Sequence, residues 1–129
     1  MNKITQIKRF NDILDQLFNY LEDNFPFYKS DLILTKNSIY FIRKSNPRLV
    51  VEQFIEYVKP YSQQIFDCDE DFFINFENNM SLDQKNMLYG IKLKSLWLQN
   101  GKKETEKSLR EKATIFNFFI KLLKSAELV

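Results

Sequence analysis

The sequence has 129 residues, which is enough for one domain with a hydrophobic core of its own. It has a formal net charge of +2, one cysteine and no histidine, which excludes an internal disulfide, imidazole-based catalysis and most zinc sites. We therefore expect a non-catalytic intracellular protein of a reducing compartment, with no cofactor, metal site or small-molecule substrate.

The composition indicates an all-α fold. Two glycines and three prolines leave few residues for tight hairpin turns, and no apolar run reaches the ~18 residues that a membrane span needs. We expect a single compact domain over residues 1–129 with about five to seven helices, arranged as a bundle or as an irregular helical array, and no membrane contact.

The first predicted helix runs from about Lys3 to Asp23 and stops before Pro26. Its apolar residues recur at spacings of three and four, namely Ile7, Phe10, Leu14, Leu17 and Leu21. Three aromatic residues follow in a predicted loop, Phe25, Phe27 and Tyr28. They either form an exposed cluster for a protein partner or fold back onto the end of the core.

Ser30 is predicted to cap a second helix over Asp31 to Arg43. Leu32 and Ile39 should face inward, together with either Ile42 or Ile33.

Asn46 and Pro47 are typical of a helix start, because asparagine is a good N-cap and proline suits the first helical position. A third helix should reach about Lys59, where Pro60 closes or kinks it, and a short helical turn is predicted around Tyr61 to Phe66. Its apolar face is predicted to consist of Val50, Phe54, Tyr57 and Val58.

Three more helical segments are predicted towards the carboxyl end. The first carries Phe72, Phe73 and Phe76, the second opens at Ser81 and runs through Leu98, and the third spans about Glu104 to Ser125. The third should bury one apolar stripe, which consists of Leu109, Ala113, Phe116, Ile120 and Leu123. Ile115, Phe119 and Leu122 should widen this stripe.

The acidic run FDCDEDFF, residues 66–73, has the oxygen spacing of the start of a calcium loop. The loop then fails, since Phe72 occupies the glycine position and Asn78 the glutamate position. We expect Asp67 or Asp69 to cap the following helix, with Glu70 and Asp71 in its first turn. These four carboxylates are also candidates for contact with a basic protein partner.

A second candidate contact is the basic loop of Arg43, Lys44 and Arg48. Arg48 lies near a predicted helix N-terminus, where its positive charge is unfavourable, so a partner carboxylate would explain its presence. The acidic run could supply that carboxylate.

Charge is unevenly distributed along the chain. Residues 1–83 hold nine Lys and Arg against thirteen Asp and Glu, whereas residues 84–129 hold ten against four. The basic end suggests an alternative function, weak nucleic-acid binding. Its candidate phosphate contacts are Lys92, Lys94, Lys102, Lys103, Lys107 and Arg110. The competing interpretation is that these cations form ordinary solvated helix faces.

The stretches RKSNPRLVVEQF (43–54) and IFDCDEDFFINFENNM (65–80) resemble small uncharacterised proteins of large, mimivirus-like DNA viruses of protists. The resemblance implies an intracellular viral protein, located in the host cytoplasm or the virion. It implies no catalytic residue, cofactor or partner. The function expected from the whole sequence is that of a non-catalytic helical interaction or structural protein that binds another protein or itself.

Overall fold

The computed structural model describes residues 3–69 and 106–129, and of residues 107–109 it describes the backbone only. Every regular element in these two ranges is helical, and neither range contains a β-strand. The all-α prediction is therefore confirmed. The number of helices and the single domain over residues 1–129 stay predictions, since the segments expected around Phe72 to Phe76 and from Ser81 to Leu98 lie outside the described residues.

The described helices follow one another closely along the chain. They are α1 (Lys3–Asn24), α2 (Lys29–Ser45), α3 (Pro47–Val58), α4 (Ser62–Phe66) and α5 (Glu106–Glu127), with short 3-10 helices at Pro26–Tyr28 and Lys59–Tyr61. The expected third helix and the helical turn after it are thus confirmed, and the first and last helices lie within two residues of their predicted bounds.

The core forms around α1, which packs against α2, α3 and α5. The apolar stripe predicted for α1 is buried throughout, and the fully buried Phe10 meets Phe54 of α3 edge-on, with ring centroids 5.1 Å apart. α5 also packs against α1, and six of its apolar side chains are buried, Ile115, Phe116, Phe119, Leu122, Leu123 and Ala126. The prediction that Ala113 also faces inward is wrong, because the buried stripe of α5 turns towards Ile115 and Phe119 and leaves Ala113 exposed.

The predicted capping role of Ser30 is also wrong. The 3-10 helix Pro26–Tyr28 runs straight into α2, so the backbone is already helical at Lys29 and Ser30 lies inside the helix. Tyr28 occupies the N-cap position, and it makes no side-chain capping hydrogen bond.

Asn46 alone separates α2 from α3, and the predicted helix start is confirmed there. Its extended backbone ends α2, and its side-chain oxygen accepts a hydrogen bond of 3.2 Å from the backbone N–H of Arg48. Pro47 fills the first helical position, as expected. This one-residue junction fixes the direction of α3 relative to α2.

Candidate interaction surfaces

α2 is apolar on two opposite sides. Leu32, Thr35 and Ile39 are buried against the rest of the fold. The opposite side carries four large apolar residues in contact with solvent, and we call them the α2 outer face: Ile33, Leu34, Tyr40 and Phe41, which are 38%, 65%, 51% and 70% exposed. At 100° per residue these four positions fall on one side of the helix, centred on Asn37. A helix with two apolar sides commonly has a packing partner on each of them.

The structure decides between the two inward candidates on α2. Ile42 is partly buried against the core, whereas Ile33 belongs to the outer face. The two alternatives for the aromatic loop are each met in part. Phe25 and Tyr28 pack against the core, while Phe27 is 81% exposed and rests edge-on against Tyr28. Phe27 therefore adds a fifth large apolar group next to the first turn of α2.

The predicted basic loop of Arg43, Lys44 and Arg48 is not a loop. Arg43 and Lys44 lie in the last turn of α2, and Arg48 lies in the first turn of α3. Their side chains also have different surroundings. The Lys44 Nζ sits 4.7 Å from the centre of the Tyr40 ring, at the edge of the α2 outer face.

Arg43 points inward and joins α2 to α1. Its guanidinium donates a 2.7 Å hydrogen bond to the Asp15 carboxylate and a 3.3 Å bond to the carbonyl oxygen of Asn11. The Arg43 guanidinium is therefore paired with groups of α1 inside the fold. Arg48 is exposed, and no ion pair is found for it among the described residues. Of the three predicted contact residues, Lys44 and Arg48 are thus the ones presented outward.

Arg43 and Arg48 both line a groove of about 560 Å³. The groove lies between the first turns of α1 and the junction of α2 with α3. Lys3 and Lys8 also line this groove, and Asp12 is the single carboxylate among its lining residues. The groove is therefore positively charged and could receive an acidic group.

The first part of the acidic run closes α4. Cys68 adopts a left-handed backbone with φ of 54°, its N–H donates to the carbonyl of Ile65, and the N–H of Asp69 donates to the carbonyl of Gln64. This pattern is a Schellman motif at a helix C-terminus. The Asp67 carboxylate, which is unfavourable near that end of the dipole, accepts hydrogen bonds from the Gln63 side-chain amide at 3.0 and 3.1 Å.

The predicted helix after the acidic run, with Glu70 and Asp71 in its first turn, lies outside the described residues. Within the residues that the structure does describe, no group of three or more carboxylate and thiol side chains is placed to hold a metal ion. Asp67, Cys68 and Asp69 are all exposed. They remain accessible candidates for a protein contact.

The nucleic-acid candidates are barely represented in the structure. Lys92, Lys94, Lys102 and Lys103 lie outside the described residues, and only the backbone of Lys107 is described. Arg110 is exposed on the first turns of α5. Weak nucleic-acid binding therefore stays a prediction from the sequence.

Tyr20 carries the one resolved pKa shift among the described residues. Its ring packs against Phe118 with centroids 5.8 Å apart, and burial raises the pKa of its hydroxyl above the ordinary value of 10.0. A hydrogen bond with Thr114 lowers this pKa, and the nearby Glu111 carboxylate raises it further. This group belongs to the contact between α1 and α5 and not to an exposed site.

The sequence reasoning missed the α2 outer face. The sequence analysis does not predict a surface at Leu34, Tyr40 and Phe41. Their spacing in the sequence nevertheless places them, with Ile33, on one side of a helix. The excess of thirteen phenylalanines and six tyrosines over the needs of a small core was the available signal.

No helix in the described ranges combines the length and the apolar character needed to cross a membrane. No family model, curated protein or solved structure matches the chain.

Proposed function

We propose that this chain is a non-catalytic helical interaction protein, which acts by binding another protein or a second copy of itself. The observation that carries the proposal is the α2 outer face, where four large apolar side chains meet solvent on one side of a helix whose other side is already packed.

The size of this apolar surface supports a protein partner. With Phe27 included, the exposed fractions correspond to on the order of 500 Å² of accessible surface, taking typical areas for large apolar side chains. The largest apolar patch on a monomeric protein is about 300–600 Å² and is often functional. A partner that covers this surface would remove these apolar side chains from water, and that burial would stabilise the complex.

Charged groups would fix the orientation of the partner. On our proposal these are the acidic run, represented by Asp67, Asp69, Glu70 and Asp71, and the cations Lys44 and Arg48 on either side of the α2–α3 junction. Charge pairs at the rim of an interface contribute more to specificity and association rate than to affinity.

The proposal of a non-catalytic role is supported by the sequence, which lacks histidine and any glycine-rich phosphate loop. The resemblance to proteins of large DNA viruses adds the proposal that the partner is met inside an infected cell or a virion.

The test compares two matched leucine substitutions. Leu34→Glu places a carboxylate on the α2 outer face, while Leu128→Glu makes the same change at a leucine of similar exposure, 57%, at the carboxyl end of the chain. Proteins captured from expressing cells by the immobilised chain should be lost with Leu34→Glu and retained with Leu128→Glu. Identical capture and identical oligomer size for both variants would overturn the proposal.

The charged contacts have a separate test. Asp69→Lys and Arg48→Glu should each weaken the association measured by light scattering or by capture, and the double variant should recover part of it if the two groups meet across the interface. Contacts at these sites are refuted if both single changes leave association untouched.

A further inference from the structure

We propose that the α2 outer face pairs with the same face of a second copy, with the two α2 helices antiparallel and the two-fold axis at Asn37. This inference rests on the proposed function and names the partner of the same surface. Symmetric dimers are the commonest oligomers, and they require a surface that is complementary to itself.

The positions on the face meet this requirement. In an antiparallel pair centred on Asn37, residues whose numbers lie equally far from 37 on either side come opposite each other. Ile33 then lies level with Phe41 of the second copy, and Leu34 lies level with Tyr40. Each contact joins an aliphatic and an aromatic side chain and occurs twice, so all four exposed apolar groups of both copies find an apolar partner.

The ends of α2 favour the antiparallel direction. Asp31 lies in the first turn, and Lys44 lies in the last turn on the outer face. Antiparallel pairing brings Lys44 of each copy to the end of the helix that carries both Lys29 and Asp31 of the other. It separates the two copies of Lys44 by about 21 Å along the axis and opposes the helix dipoles. Parallel pairing would instead place Lys44 against Lys44 and align the dipoles, which is unfavourable.

Phe27 would extend the apolar contact between the two copies. Phe27 lies in the 3-10 helix that runs into the first turn of α2, next to the α2 outer face. Its exposed ring would extend the apolar contact beyond the ends of the two helices.

Asn37 specifies the register. It is exposed at the centre of an otherwise apolar face, and on the axis its side-chain amide can hydrogen-bond with the same amide of the second copy. A single asparagine at such a position is a known means of fixing the alignment of paired helices.

The area predicts a weak, reversible dimer. Two copies would bury on the order of 1,000 Å² through these side chains, which is the lower limit for a specific interface. We therefore expect a dissociation constant of roughly 1–100 µM, in the range of transient complexes.

Sedimentation equilibrium of the purified chain over a hundredfold range of concentration tests the pairing. The wild-type chain and Leu128→Glu should show the same monomer–dimer equilibrium, and Leu34→Glu should raise the dissociation constant at least ~10-fold, because it places a carboxylate against Tyr40 of the second copy. A wild-type chain that is monomeric throughout, or an unchanged dimer with Leu34→Glu, would overturn the inference.

Cysteine cross-linking tests the direction and register. In a background where the exposed native thiol is removed by Cys68→Ser, Asn37→Cys should form an intermolecular disulfide, because facing positions of two packed helices come within the Cα separation that a disulfide needs. Ile33→Cys should not, since the two copies of that residue would lie about 12 Å apart along the axis. Cross-linking at both positions indicates parallel helices and overturns the proposed arrangement.

These measurements need no other protein, so the two proposals fail separately. A monomeric chain whose captured proteins still depend on Leu34 refutes self-pairing and leaves the proposed function standing. Capture and oligomer size that are both indifferent to Leu34 refute both.

Discussion

The same substitution should have very different effects on the stability of the chain at Phe10 and at Phe41. Phe10 is fully buried, and its ring meets that of Phe54. Phe10→Ala removes this ring from a packed core and should lower the free energy of unfolding by about 3–5 kcal/mol.

Phe41 is 70% exposed, so roughly 60 Å² of its surface is shielded from water by the monomer. At about 25 cal/mol per Å² this corresponds to at most ~1.5 kcal/mol. Alanine also has the better helix propensity, by about 0.5 kcal/mol. Phe41→Ala should therefore change the free energy of unfolding of the monomer by about 1 kcal/mol or less.

The assay is urea unfolding followed by circular dichroism, at protein concentrations well below those at which copies associate. Both variants should unfold with the same dependence on urea as the wild-type chain, so that midpoints report stability directly. A loss of about 3 kcal/mol with Phe41→Ala would show that another part of the chain covers this ring in solution. That result would refute the description of the α2 outer face as an available surface.

Three further predictions concern the contacts that hold α2 and its neighbours in place. Asn46→Ala should lower the free energy of unfolding by about 1 kcal/mol through loss of the α3 cap, and an unchanged urea midpoint would contradict this. A double-mutant cycle of Arg43→Gln and Asp15→Asn should give a coupling free energy of about 0.5–1 kcal/mol that shrinks in high salt. The coupling is small because the Asp15 carboxylate is 40% exposed. A coupling of zero would show that this ion pair does not stabilise the contact between α1 and α2. Because the pKa of Tyr20 is raised in the folded state, the unfolded chain loses this proton first, and stability should fall as the pH rises above about 10. Tyr20→Phe should reduce that fall, and a variant whose stability falls as steeply above pH 10 as that of the wild-type chain would refute this.

Local signals predicted much of the fold. The apolar spacing in α1 and the Asn46–Pro47 helix start depend on neighbouring residues only, and both are confirmed. Ser30 shows the limit of such reasoning. Its capping chemistry was suitable, but the 3-10 helix before it had already set the backbone.

The choice between Ile33 and Ile42 could not be made from α2 alone. Both residues lie on apolar sides of the helix, and only packing against α1 and α3 determines which side becomes core. The sequence shows the α2 outer face only as a second apolar side of the helix, since its residues have the spacing of an ordinary buried stripe.

The candidate contact residues illustrate the same limit. Arg43, Lys44 and Arg48 are neighbours in the sequence, and their charge suggested one basic cluster. Arg43 instead bonds to Asp15, which lies 28 positions away along the chain. A pairing over this distance depends on how α1 and α2 cross, and composition carries no information about it.

The single residue between α2 and α3 makes the chain sensitive to length at that point. Each residue added after Ser45 would turn α3 by about 100° about its axis relative to α2, if the helical geometry continued through the insertion. The buried side chains Val50, Val51 and Val58 would then rotate away from α1. We expect insertions here to be tolerated far less well than after Glu127, since no described helix follows that residue.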